Sequence, residues 1–124
     1  MSVVWILRIA VFGEFLGHGV LGIQGNPLWV GWIATVTGFS LSFTTALLTI
    51  GGIVDILLAF AILIRPMRWM LLVAIVIAFF ANLLGPLAGE QIWEFVASLP
   101  NIAAPLVLLL LLPKTEKADQ EKVE

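Results

Sequence analysis

Apolar residues run along this chain in four long blocks, separated by short stretches rich in Gly, Pro and polar residues. The first block is Val3–Ile23, about 21 residues or roughly 31 Å of helix, enough to cross the hydrocarbon core of a bilayer. QGNP follows at 24–27, where Asn26 before Pro27 has the form of an N-cap with proline at the first helical position. Residues 28–36 are too few to cross. Trp29, Trp32, Ile33 and Val36 fall at helical spacing on one side of them, so the segment reads as a short interfacial or re-entrant helix that stops at Gly38. Ser40 or Ser42 can cap the second long block, 41–64, and Arg65-Pro66 ends it. The third block covers 67–84 and is expected to break at Gly85-Pro86. The fourth covers 92–112 and carries Pro100 and Pro105. Ending it at Pro100 would leave about 12 residues beyond the break, too few to cross, so one kinked helix is expected. The pattern predicts an all-α membrane protein: an antiparallel bundle of four transmembrane helices in residues 1–113, with a short interfacial helix between the first two. A charged tail follows at 114–124.

Composition agrees. Of 124 residues, 61% are hydrophobic and 11% charged, where a soluble domain would carry about a quarter charged residues. The net charge of −2 gives no basis for nucleic-acid binding. The chain has no cysteine, which removes disulfides and thiolate chemistry. Its single histidine cannot supply two axial haem ligands within one copy. The first block has no basic stretch ahead of it and contains Arg8 and Glu14, so it is taken as a retained helix rather than a signal peptide.

Charge also orients the bundle. With four crossings, the N-terminus, the 65–68 turn and the C-terminal tail share one side. That side holds Arg8, Arg65, Arg68, Lys114, Lys117 and Lys122, and the opposite loops hold no basic residue. The positive-inside rule then places both termini in the cytoplasm, with the protein in the cytoplasmic (inner) membrane. Trp5 and Trp69 fall at the inner boundary, and Trp29, Trp32 and Trp93 at the outer one.

The polar residues inside these apolar blocks are the candidate chemistry, because an ionisable group at the bilayer centre costs at least about 2.5 kcal/mol and normally faces protein or water. At 100° per residue, Arg8, Glu14 and His18 occupy about a third of the first helix's circumference. Measured from the cytoplasmic edge, Arg8 lies about 8 Å deep, Asp55 about 13 Å, Glu14 about 16 Å, and His18 and Asn82 about 22 Å. Arg8 and Asp55 are expected to form a structural ion pair between helices one and two. Glu14 and His18, four residues apart, form either a proton-titrating pair or part of an interhelical hydrogen-bond network. Asn82 is expected as interhelical glue. Glu94, Ser98, Asn101 and Pro105 make an i, i+4, i+7, i+11 stripe that either lines an outward-facing cavity or packs inside the bundle. Glu14, His18, Asn82 and Glu94 are therefore the candidate polar cavity. One histidine with a few carboxylates is a poor metal signature, and no metal site is assigned. Trp29 and Trp32 are read as a membrane anchor. Helix one is expected to meet helix two along either its Gly13/Gly17 side or its Arg8 side.

The early arginine, Gly17-His18-Gly19, Gly52-x-x-Asp55, and GPLAGEQIWEF at 85–95 ahead of a proline-containing last helix together resemble the DoxX-like family of small four-helix membrane proteins. The chain differs from that family in carrying Asp55 where glutamate is common, and in lacking a lysine after the His-Gly pair. The resemblance implies a link to redox enzymes, since the family is similar to a subunit of thiosulfate:quinone oxidoreductase. On its short loops, lack of cofactor ligands and glycine-rich helix faces, the first expected function is a subunit, assembly partner or anchor of a larger redox or other membrane complex, with another protein or a second copy as partner. The alternative is a binding or transport module for a lipid, quinone or other small apolar molecule held in the bundle. A quinone-linked oxidoreductase ranks last, and a quinone is the one cofactor the resemblance suggests.

Overall fold

The computed structural model describes residues 2–113, and these form helices and turns with no strand among the described residues. The helices are α1 (Val3–Ile23), α2 (Pro27–Thr37), α3 (Leu41–Ile64), α4 (Arg68–Leu87), α5 (Ile92–Ala97) and α6 (Leu99–Leu111). α1, α3, α4 and the combined run Ile92–Leu111 are each long and apolar enough to cross a membrane. The tail at 114–124 lies outside the described residues.

Local sequence sets most boundaries. Gly25 takes a left-handed φ of 69°, and α1 ends in a paired motif: Asn26 N–H bonds to the Leu21 carbonyl and Gly25 N–H to that of Gly22. The Asn26 side chain then turns to α2, where its Oδ1 accepts from the amides of Leu28 and Trp29 at 3.1 and 3.4 Å, with Pro27 in the first turn. Ser40 caps α3 by accepting from Phe43 N–H.

Two expected breaks move. Gly85-Pro86 does not end α4, which runs to Leu87 with Pro86 inside it. A proline this near the C-terminus removes a single backbone bond. The stop comes instead at Gly89, φ 103°, where Glu90 N–H bonds to Gly85 O and Gly89 N–H to Pro86 O. In the last block the chain passes through a turn at Ser98 and continues as α6, with Pro100 in its first turn. Proline there cannot donate to the preceding turn, so the helix restarts rather than bending smoothly. Pro105, inside α6, is buried.

α1 packs most extensively on α3. Arg8, Phe15, Gly19 and Gly22 lie within about 60° of one another around α1 and form the contact face. The backbones nearly touch: a Cβ at Gly52 would sit 2.5 Å from Gly19 O, and one at Gly22 would sit 3.0 Å from Leu48 O. Small residues permit this approach. Of the two faces expected, the Arg8 side makes the contact. Gly13 and Gly17 lie across the helix, with open space where a side chain would go.

The apolar core sits at one end. Val11 and Phe15 of α1, Leu58, Ala59 and Ile62 of α3, Leu71, Ala74 and Ala78 of α4, and Leu108 and Leu109 of α6 form one buried cluster. The other end, built from the last turns of α1 and α4, the first half of α3, and α5, is looser, and α2 lies against α3 and α4 there. Large apolar side chains cover the outside, among them Leu57, Ile64 and Leu110, which are 66%, 75% and 72% exposed. Such a surface calls for an apolar surrounding.

Candidate functional site

The loose end encloses a cavity of about 590 Å³. α1 contributes Glu14 and, one turn later on the same face, His18. α3 contributes Asp55, with Gly51 and Gly52 one turn earlier leaving the adjoining wall bare. α4 contributes Asn82, and the last block contributes Glu94, Ser98 and Asn101. Glu14, His18, Asp55 and Asn82 are half-buried, whereas Glu94 is exposed and marks the mouth. Glu14 and Asp55, from facing helices, border the same space. Asn82 Nδ2 is buried without a hydrogen-bond partner among the described residues.

The four cavity residues named from sequence, Glu14, His18, Asn82 and Glu94, thus line a single space, with Ser98 and Asn101 of the same stripe. Pro105 does not join them, because it lies at the packed end.

The Arg8–Asp55 pair does not form. Arg8 Nη2 donates to the carbonyl oxygens of Leu63 and, at 2.7 Å, Ile64. Its guanidinium lies 3.8 Å from the Trp5 ring centroid. The last carbonyls of a helix have no partner within it and carry the negative end of its dipole, so α3 offers Arg8 acceptors without any acidic residue. The glycine-to-glycine nesting sets Arg8 level with the end of α3. Asp55 is eight residues further back, about 12 Å along the axis. Asp55 is thereby left to the cavity, where it was not expected. The sequence signal was the Gly51-Gly52 pair one turn earlier, which clears the face that Asp55 shares.

α2 also differs from expectation. Trp29 and Trp32 line the cavity rather than only anchoring the segment. The Trp29 ring meets His18 edge-to-face, with centroids 5.5 Å apart. Trp32 lies over Gly85, where a Cβ would be 3.5 Å from its ring, and its Nε1 donates to Glu90 Oε1 at 3.4 Å. The indoles make α2 a roof, and Glu90 holds that roof from the α4–α5 turn.

Among the described residues, no three His, Cys, Asp or Glu side chains converge tightly enough to hold a metal ion. The acidic groups stand around the space rather than at one point. No family model matches the chain, and neither a curated protein nor a solved structure does.

Proposed function

We propose that this chain is an integral membrane protein that holds a small, mainly apolar molecule between its helices. The observation that carries this is the cavity. Ligand sites are commonly about 300–1,000 Å³, apolar with a few converging polar groups, and helix-bundle interiors are a usual place for them. A space of about 590 Å³ walled by Phe15, Ile33, Leu47 and two indoles, with Glu14, His18, Asp55 and Asn82 turned toward it, has that character. In this proposal the four long helices cross the cytoplasmic membrane as an antiparallel bundle. α2 lies at the outer boundary, and both termini are cytoplasmic, in keeping with the basic residues at Arg65 and Arg68 and in the tail.

Mass spectrometry under native conditions, after extraction in a mild detergent, tests the proposal. Gly51 lines the cavity with open space at its Cβ position, so Gly51→Phe fills the space without a backbone clash. The wild type is expected to carry a bound small molecule that Gly51→Phe loses. A wild type that carries nothing, or the same adduct on both proteins, overturns the proposal.

A second reading is supported by α1. Gly13 and Gly17, one turn apart, present bare backbone on a face that no other helix covers among the described residues. Such a pair suits close packing by another transmembrane helix, as expected of a subunit or assembly partner in a larger complex, or of a homo-oligomer. The resemblance to DoxX-like proteins and their redox partners belongs with this reading. Cross-linking from Gly17→Cys in intact membranes tests it: a discrete higher-mass product is expected, and its absence removes the reading.

A further inference from the structure

We infer that the molecule held in this cavity is an organic cation: an ammonium or phosphonium carried on an apolar body. The inference rests on the proposal that the cavity is a ligand site, and adds the chemistry of its occupant.

The first argument is charge balance. Three carboxyl side chains line the space, those of Glu14, Asp55 and Glu94, against one imidazole, that of His18. Among the described residues no arginine or lysine lines it. Arg8, the basic residue nearest in sequence to Glu14, is held by the α3 carbonyls at the packed end of the bundle. Even a protonated His18 leaves the acidic groups in excess. Charges within a membrane protein are normally offset by a partner. A carboxyl in such a place is made neutral by a proton or offset by a cation, and no basic side chain at the cavity supplies the cation among the described residues, so an organic cation from outside the chain fits the place left for one.

The second argument is shape. The carboxyls are too dispersed to close around a metal ion. They border a space large enough for a drug-sized molecule, so the matching positive charge is one spread over, or carried by, an organic body. The third argument is the roof. Trp29 and Trp32 both face the cavity. Indole is the aromatic ring that attracts a cation most strongly when the cation lies within about 6 Å of its centre, and quaternary ammonium ligands are bound in this way. A fatty acid would bring a second negative charge to the carboxyls. A quinone carbonyl could accept from Asn82 Nδ2, but a quinone carries no charge to set against the carboxyls.

The test is a charge series on the purified full-length protein in dodecyl maltoside. Tetraphenylphosphonium is the cationic probe, tetraphenylborate its shape-matched anion and triphenylphosphine oxide the neutral comparison. Binding is followed by tryptophan fluorescence and by titration calorimetry. The phosphonium should bind more tightly than either other probe by about tenfold or more, equivalent to about 1.4 kcal/mol. Glu14→Gln and Asp55→Asn should each weaken the phosphonium about tenfold while leaving the neutral probe unchanged, a split that misfolding does not produce. Glu14→Asp should restore most of the loss. Arg68→Gln, about 21 Å from Asn82 along α4, should change neither. Tighter or equal binding of the neutral or anionic probe, lost in Gly51→Phe, overturns the cation inference and leaves the ligand cavity standing. So does failure of the phosphonium to bind while a neutral or acidic molecule co-purifies. Absence of both probe binding and any co-purifying molecule removes the inference and the proposed function together.

Discussion

Replacing Gly52 by alanine adds one methyl group where α1 and α3 come closest. That methyl would lie 2.5 Å from Gly19 O, 2.9 Å from Ile23 N and 3.1 Å from Ile23 Cγ1. Two of these neighbours are backbone atoms of a helix, which cannot swing aside as a side-chain end can. Comfortable contact begins near 3.5 Å, so the helices must part by about 1 Å. Overpacking of this kind costs about 1–3 kcal/mol. The intrinsic preference of alanine over glycine in a helix, about 1 kcal/mol, works in the other direction and sets the net loss at about 0–2 kcal/mol. Gly51 provides the comparison within the same turn: a Cβ there meets nothing within 4 Å. Gly51→Ala therefore keeps the propensity gain without the clash. The two substitutions should differ by about 1–3 kcal/mol, with Gly52→Ala the less stable. Reversible unfolding by dodecyl sulfate in mixed micelles, followed by circular dichroism, measures the difference. Parting the helices also shifts the α1 wall of the cavity, with Glu14 and His18, relative to the α3 wall, so Gly52→Ala should weaken phosphonium binding as well. Equal stability of the two variants would refute the close α1–α3 approach and the register derived from it.

Arg8→Ala should cost about 1.5–3 kcal/mol by removing charge-assisted bonds to the α3 carbonyls. A double-mutant cycle with Asp55→Asn should show coupling below about 0.5 kcal/mol, whereas a large coupling would restore the ion pair. Trp32→Ala should free α2 from Gly85 and Glu90, so amide exchange across Pro27–Thr37 should quicken while that of the packed end holds; unchanged exchange would remove the roof. Gly89→Ala places a side chain at φ 103° with no neighbour to strike, so its loss of about 1–3 kcal/mol is purely conformational; stability equal to the wild type would disprove the turn that ends α4.

The looseness of one end and the tightness of the other have a common origin in side-chain size. At the packed end large side chains, among them Phe15 and Ile62, are buried in one cluster with small ones such as Ala59 and Ala74. At the other end Gly51, Gly52, Ala81 and Gly85 contribute almost no volume, while the polar groups that stand there cannot close against one another without burying like charges. The space is held open by what surrounds it.

The four apolar blocks, the Asn26 and Ser40 caps and the break after Ile64 were all legible in the chain itself. They depend on run length, on a capping side chain or on a fixed proline φ, and each acts within a few residues. That Glu14 and His18 must share a face also followed from helical spacing alone. Facing partners were a different matter. Opposite charge, at depths of about 8 and 13 Å, suggested that Arg8 pairs with Asp55, yet depth counted from a common edge assumes a register. The register is decided by the nesting of Gly19, Gly22 and Gly52. The acceptors that Arg8 finds are backbone carbonyls, which every residue has and which no sequence pattern marks. Likewise, Trp29 and Trp32 at helical spacing suit a membrane anchor as well as a roof. The choice rests on His18 and Gly85, which contact α2 only once α1 and α4 are assembled. Local chemistry thus determined where most helices begin and end, whereas the cavity depends on how α1, α3, α4 and the last block come together around it, which no local pattern records.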